Sequence, residues 1–207
     1  MSEPTRSAAI LAGGRATRFG GCDKGALLVD GRTILNRQLA ELSALTTDLL
    51  IVGGAPHSTP TPMAAPRVIP DIVPDCGPLG GLHAALTVAR GDVVAIVACD
   101  MPHVSGPLLA YLFSLAADVD VVVPRTERGY HPLCAVYARR CLAGVTARLA
   151  TGQLKMTGLV ADAVARAAAR IVTIEELERF GHTGRLLANV NTPAEYAELE
   201  ALQGHEL

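Results

Sequence analysis

Tryptophan is absent and aromatic residues make up only 3% of the chain. Few ring faces are therefore available for unpaired bases to stack on, which disfavours a single-strand nucleic-acid binder. Positive charge is also scarce: 18 Lys and Arg against 20 Asp and Glu leave a net charge of −2. General nucleic-acid binders instead carry a basic surface that neutralises phosphates, so no nucleic-acid partner is expected. No window approaches the roughly 18 successive apolar residues of a membrane span, and Met1 to Ser7 is short and polar, so no membrane association is expected either. The five cysteines, Cys22, Cys76, Cys99, Cys134 and Cys141, are odd in number and form neither C-x-x-C pairs nor zinc spacings with histidine. They read as reduced thiols of a cytoplasmic protein, with Cys99 and Cys134 in apolar runs as core residues and none as a nucleophile.

What is present is apolar sequence in short blocks. With 207 residues and 50% hydrophobic content, the chain can bury a substantial core as one domain. Ala8–Leu11, Leu49–Val52, Val93–Ala98 and Val119–Val123 are aliphatic runs of the kind that form parallel strands buried on both faces. Ile34–Leu45, Leu79–Ala89 and Leu108–Ala116 repeat apolar residues at helical spacing between them. Alternating strands and helices predict an α/β fold, a doubly wound and mostly parallel sheet with helices on both faces. Beyond Val123, Leu133–Tyr137 is a short apolar run, Ala138–Leu149 and Gly158–Ala169 read as helices, and Ile171–Ile174 as a small strand. This second half is expected to cover the sheet edge and shape an acceptor pocket. In doubly wound sheets ligands bind beyond the carboxyl ends of the strands, so functional motifs are sought there.

The first motif follows the first strand: Leu11-Ala12-Gly13-Gly14-Arg15-Ala16-Thr17-Arg18-Phe19-Gly20-Gly21-Cys22-Asp23-Lys24. Gly13 and Gly14 remove the Cβ atoms that would hold backbone away from a phosphate or base edge, and Arg15, Arg18 and Lys24 bring positive charge. The spacing is neither that of a P-loop, because Lys24 follows Asp23 and precedes Gly25, nor that of a dinucleotide fingerprint, because Gly13 and Gly14 are adjacent. A second motif, Cys99-Asp100-Met101-Pro102, sets a carboxylate just past the third strand. Asp100 is a metal candidate, since Mg²⁺ on a triphosphate takes only one or two protein carboxylates, or else it caps the helix that follows or ties down the turn. Asp71 and Gly77-Pro78-Leu79-Gly80-Gly81 combine a carboxylate with a glycine-rich helix entry; the segment can set backbone against a base or be only a tight turn. Asp71 could hold a sugar hydroxyl, orient water on a metal, or cap. Asn189-Val190-Asn191-Thr192-Pro193 points both amides to one side of an extended segment, while Thr192 is placed to cap a helix over Glu195–Leu202. His131 has no acid or nucleophile partner in sequence and is a structural or acceptor-contacting residue rather than a base.

In order and spacing these motifs resemble the molybdenum cofactor guanylyltransferases, the MobA family of the nucleotidyltransferase superfamily, over nearly the whole chain. The first motif is common to many nucleotidyltransferases; the middle and late motifs narrow the choice. The resemblance implies transfer of GMP from GTP to molybdopterin or its molybdenum-loaded form, with release of pyrophosphate and Mg²⁺ as cofactor. It implies nucleotide contacts at Leu11, Ala12, Gly13, Gly14, Lys24, Asp71, Gly77, Pro78, Leu79 and Asp100, phosphate chemistry at Arg18 and Lys24, and the metal on Asp100. Asn189, Asn191 and His131 would face the acceptor. The part up to about residue 125 would hold the nucleotide and the remainder the acceptor, with molybdoenzyme maturation proteins as candidate partners. Where the family often has asparagine after the second strand, this chain has Gly53-Gly54. The rival readings are a cytidylyltransferase on the same pterin, a nucleotidyltransferase with another small phosphate acceptor, and a non-catalytic nucleotide-binding protein.

Overall fold

The computed structural model describes residues 3–12, 24–29, 31–53, 65–190 and 195. Strands β1 (Arg6–Leu11), β4 (Leu49–Val52), β5 (Arg67–Ile69) and β6 (Val93–Ala98) form a parallel block in the order β5-β4-β1-β6. Beyond β6 lie β9 (Cys134–Ala138), β7 (Val121–Thr126) and β10 (Ala169–Val172), the last parallel to β7. A short strand β8 (Gly129–Tyr130) also pairs with β7. Away from this sheet, β2 (Leu28–Val29) and β3 (Arg32–Thr33) form a small hairpin.

The expected mostly parallel, doubly wound sheet is therefore present, with one difference in how it is built. The run Leu133–Tyr137 does not cover an edge. As β9 it lies inside the sheet, antiparallel to both β6 and β7, and β10 forms the edge on that side. Strands β1, β4, β6 and β7 still point the same way, because two antiparallel steps through β9 restore the direction.

Side chains along the strands alternate between two buried faces. Ala8 and Ile10 of β1, Leu49 and Ile51 of β4, and Val93, Ala95 and Val97 of β6 face one layer. There they meet Leu35, Leu39 and Leu42 of α1 (Ile34–Ser43) and Leu108, Leu109 and Leu112 of α3 (Gly106–Ser114). Ala9, Leu11, Leu50, Val52, Val94 and Ile96 face the opposite layer. That layer holds Leu79, Leu82 and Leu86 of α2 (Gly77–Val88), Val145 of α4 (Leu142–Ala150), and Leu159 and Val160 of α5 (Met156–Ala165). A period of two with both faces apolar produces the uninterrupted aliphatic runs seen in the sequence.

Several expected boundaries move for identifiable reasons. Ala138 ends β9 and a 3-10 turn over Arg139–Cys141 precedes α4, so the helix read from Ala138 starts later. The helix read over Gly158–Ala169 spans Met156–Ala165, since Ala167 takes a positive φ of 54° and the chain then enters β10. The strand read over Ile171–Ile174 stops at Val172. Thr173 and Glu176 form a capping box that starts α6 (Ile174–Leu177). The sequence signal, Thr followed three positions later by Glu, is plain once sought. The helix expected over Glu195–Leu202 and its cap Thr192 lie outside the described residues, apart from Glu195, which is helical. Among the described residues no helix is long and apolar enough to cross a membrane.

At the amino edge a buried polar cluster fixes the strand entries. Asp48 accepts from Ser7 Oγ at 2.6 Å, Arg90 N at 2.9 Å and Arg67 Nη2 at 2.6 Å, while Gly91 N donates to Ser7 Oγ at 2.8 Å. Burial alone would raise the Asp48 carboxyl; the Ser7 hydroxyl, the Arg90 amide and Arg67 outweigh it and hold the group below the usual carboxylate range. A depressed carboxylate stabilises the fold fully above its unfolded pKa, and the contribution is lost as pH falls through the folded value. Asp48→Ala is expected to lower unfolding stability by about 3 kcal/mol by stranding buried donors. Urea unfolding followed by circular dichroism at pH 7 measures this, and the difference from wild type should shrink as the pH is taken below 4.

Candidate active site at the carboxyl edge of the sheet

The sheet continues its hydrogen bonding one residue past the strands. Gly53 N donates to Ile69 O at 2.9 Å, Ala12 N to Val52 O at 2.8 Å, Cys99 N to Leu11 O at 3.1 Å and Ala98 N to Leu133 O at 3.0 Å. Val190 N then donates to Asp100 O at 2.8 Å. Segments far apart in sequence therefore meet on one ledge: Leu11 and Ala12, the Gly53 corner, the loop from Ile69 to Asp71, the Asp100 turn, the start of β9, and the late segment at Asn189 and Val190.

Leu11 is buried and packs beneath α2, where a Cβ at Gly81 would come within 3.2 Å of Leu11 Cδ2. The glycine thus lets the helix seat on β1, which brings its amino end to the ledge. Asp75 and Gly77 both take positive φ, 59° and 58°, in the sharp entry to α2, and Pro78 lies in its first turn. Cys76 at the cap position makes no side-chain capping bond and the first turn holds no acidic residue. Gly77 and Pro78 are exposed and Leu79 is buried, so backbone rather than side chain faces outward here. Asp71 is exposed beyond β5. Gly53 has φ of 76°, a region that glycine and asparagine enter more readily than other residues. An exchange between those two there changes a side-chain amide and little in the backbone.

Asp100 is half-buried on the turn after β6. Gln38 of α1 holds that turn, its Nε2 donating to Ala98 O at 2.8 Å and Met101 O at 2.9 Å. The cap of the following helix is a different residue: Ser105 Oγ accepts from Leu108 N, and Glu41 Oε2 accepts from Gly106 N at 2.5 Å. Lys24 opens a short 3-10 turn over Lys24–Ala26, next to the start of α1. Gly13, Gly14, Arg18 and Asn191 lie outside the described residues, as does the rest of the loop over 13–23. Asn189 is exposed, one residue from the Val190 bond to Asp100.

His131 lies on the other side of β6, in the turn that leads from β8 to β9. Its Nε2 is 2.8 Å from Thr126 Oγ1 and its backbone N donates to Pro124 O at 2.9 Å. Both residues line a cavity of about 340 Å³ with Arg128, Ile174, His182 and Leu187. Burial, and secondarily the Arg128 charge, pushes the His131 imidazole below the ordinary histidine value. Both effects favour the neutral ring. Arg128 and His182 escaped the sequence reading because nothing local marks them. They are separated by 54 positions (182 − 128) and meet only where the ends of β7 and β10 converge. Burial pushes the Cys134 and Cys141 thiols up to about 12, so neither supplies a thiolate near neutrality. Cys134 is core as expected, whereas Cys99 is partly exposed.

Residues 8–171 match the model of the MobA-like NTP transferase domain. The chain belongs to that family. It is 34% identical over 195 residues to a molybdenum cofactor guanylyltransferase of Desulfosudis oleivorans, covering 93% of each chain. Against the molybdenum cofactor guanylyltransferase of Vibrio atlanticus it is 31% identical over 206 residues, covering 98% of this chain and 100% of the relative. Among solved structures it resembles a molybdopterin-guanine dinucleotide biosynthesis protein A from Archaeoglobus fulgidus, with a TM-score of 0.76, 22% identity, and 96% and 98% of the two chains covered. It also resembles the 2-C-methyl-D-erythritol 4-phosphate cytidylyltransferase of Thermus thermophilus, with a TM-score of 0.65, 16% identity, and 95% and 98% covered. These last two likenesses speak to the fold, a Rossmann-like nucleotidyltransferase sheet.

The electrostatics of the cavity give a direct test. In a histidine-resolved NMR titration, His131 is expected to titrate below 6.5, the ordinary histidine value. Arg128→Ala should move the midpoint up only slightly, because burial is the larger cause. A midpoint at or above the ordinary value would contradict the enclosed environment of the ring.

Proposed function

We propose that the protein transfers GMP from GTP to the terminal phosphate of molybdopterin or its molybdenum-loaded form, with release of pyrophosphate. One observation carries this reading: the Val190 bond that draws the late segment against the Asp100 turn, in a chain whose near full-length relatives are named for guanylyl transfer to this cofactor. A carboxylate and an acceptor segment then sit side by side at the end of β6, as in-line transfer between two phosphates requires.

The nucleotide lies along the ledge from β5 to β6. At strand level Asp71 and Asp100 are three inter-strand steps apart, about 14 Å. That separation supports a reading with Asp71 at the base and sugar end and Asp100 at the phosphates. Backbone of Leu11, Ala12, Gly13 and Gly14 and the entry to α2 at Gly77, Pro78 and Leu79 contact the nucleoside, while Arg18 and Lys24 hold the triphosphate. Among the described residues no three carboxylate, imidazole or thiol groups cluster. Asp100 would hold a cation here, and a single protein carboxylate beside a triphosphate suits Mg²⁺. Bound there, Mg²⁺ supplies charge compensation for the reacting phosphates. The acceptor occupies the cavity beside β9, whose Arg128 and histidines suit a phosphate and whose Ile174 and Leu187 suit a ring system. This reading gives Asn189 and Asn191 of the late segment to the same acceptor. The attacking phosphate is already anionic, so no general base is needed, and a neutral His131 orients rather than abstracts. On this reading residues up to about 125 hold the nucleotide and the remainder holds the acceptor. Cys76, Cys134 and Cys141 carry free thiols, which supports a reducing, cytoplasmic setting.

Asp100→Ala is expected to lower Mg²⁺-dependent turnover by at least about 100-fold with the fold retained by circular dichroism. Full activity in that variant would remove the metal from Asp100. Pyrophosphate release measured with GTP, CTP, ATP and UTP, with and without molybdopterin, should show turnover only with GTP and the pterin together. Preference for CTP would reassign the base, and a pterin-independent sugar-phosphate reaction would reassign the acceptor.

A further inference from the structure

We infer that Gln38 is a positioning residue that fixes the Asp100 turn for phosphate transfer, an inference that rests on the proposed metal role of Asp100. The residue stands on the core face of α1, among Ile34, Leu35, Leu39 and Leu42, and is 1% exposed. An aliphatic side chain would continue that face. Instead one amide nitrogen spends both its hydrogens on the carbonyls that bracket Cys99 and Asp100, at 2.8 Å to Ala98 O and 2.9 Å to Met101 O. Met101 N donates to Ala98 O at 3.3 Å and closes the same turn. The turn bearing Asp100 is thereby gripped from three directions: Cys99 N donates to Leu11 O of β1, Val190 N of the late segment donates to Asp100 O, and Gln38 of α1 donates to the Ala98 and Met101 carbonyls.

The chemistry at this point is donation. Gln38 Oε1 is buried with no partner among the described residues, so the amide is not placed to satisfy both of its ends. A buried acceptor left this way is unfavourable, and the arrangement is kept where a fixed turn matters more than local stability. Helix α1 has a second attachment at its amino end: Ile34 N donates to Leu27 O at 2.9 Å, just after the turn that opens with Lys24. One rigid helix thus joins the backbone bearing Lys24 to the backbone bearing Asp100, and Gln38 is its contact with the latter. The separation of two phosphate-handling residues is set by a side chain that need touch neither substrate.

Two variants remove the clamp differently. Gln38→Met keeps the length and cannot donate, whereas Gln38→Asn keeps the amide and withdraws it by one methylene. In either, kcat for transfer is expected to fall about 10- to 100-fold, the range seen when a group that orients a metal ligand is lost, with KM for GTP within about twofold. Electron paramagnetic resonance of Mn²⁺ titrated in the presence of GTP should show weaker binding by a similar factor, and thermal unfolding by circular dichroism reports whether each variant is folded. Wild-type kcat and Mn²⁺ affinity in a folded variant would overturn the inference. If both variants fail to fold, it is overturned as well, because the amide would then serve the fold alone. Asp100→Ala in the same Mn²⁺ titration separates the two readings. Lost affinity there beside wild-type affinity in Gln38→Met sinks only the role of Gln38, whereas unchanged affinity in Asp100→Ala sinks the metal assignment itself.

Discussion

Strands β5, β4, β1 and β6 stay hydrogen-bonded for one residue beyond their last paired positions, through Gly53 N to Ile69 O, Ala12 N to Val52 O and Cys99 N to Leu11 O. A chain leaving a sheet normally loses its direction within a residue or two, because nothing fixes φ and ψ once the ladder ends. Here the ladder continues into the loops, so Ala12, Gly53 and Asp100 leave the sheet with their backbones already oriented. The bonds from Gln38 and Val190 act on the same ledge from a helix and from the late segment. Removing the parallel register between β1 and β6 would dissolve this order, since every later contact is built on it.

The two edges of the sheet divide the polar groups between stability and function. At the amino edge Ser7, Arg67 and the amides after α2 converge on the buried Asp48 carboxylate. At the carboxyl edge the acidic groups are more open: Asp71 is exposed and Asp100 half-buried. Low local dielectric strengthens the hydrogen bonds of the buried group, whereas the more open carboxylates stay accessible to a ligand. That contrast fits an edge built to receive a charged nucleotide.

The second half of the chain contributes in a way its local pattern hides. Strand β9 enters between β6 and β7, which delivers His131 and Leu133 beside the end of β6. The capped helix at Thr173 and the short helix at Thr183–Leu186 then close a cavity against Thr126 and Arg128. The cavity and the ledge past β5, β4, β1 and β6 thus stand on one shared sheet.

The alternation of aliphatic runs with helical spacing was enough to read the α/β class and the parallel strands β1, β4, β6 and β7, because a strand buried on both faces leaves an uninterrupted apolar run. Asp71, Asp100, Asn189 and the glycines that open α2 were legible as candidates for a related reason: in this architecture residues just past strand ends are where ligands bind. The antiparallel insertion of β9 was not legible, since five apolar residues look the same in either direction and at any place in the sheet. Gln38 read as one more helix residue, because its partners are carbonyls 60 and 63 positions away. Arg128 and His182 carried no mark of their own, for they acquire meaning only from each other. By itself, then, the sequence determined which segments are strands and helices and which chemical groups stand at their ends, both being local properties of composition and period. The tertiary structure alone decided strand order, the clamp on Asp100 and the walls of the cavity, because each depends on long-range hydrogen bonds between segments whose pairing no local pattern encodes.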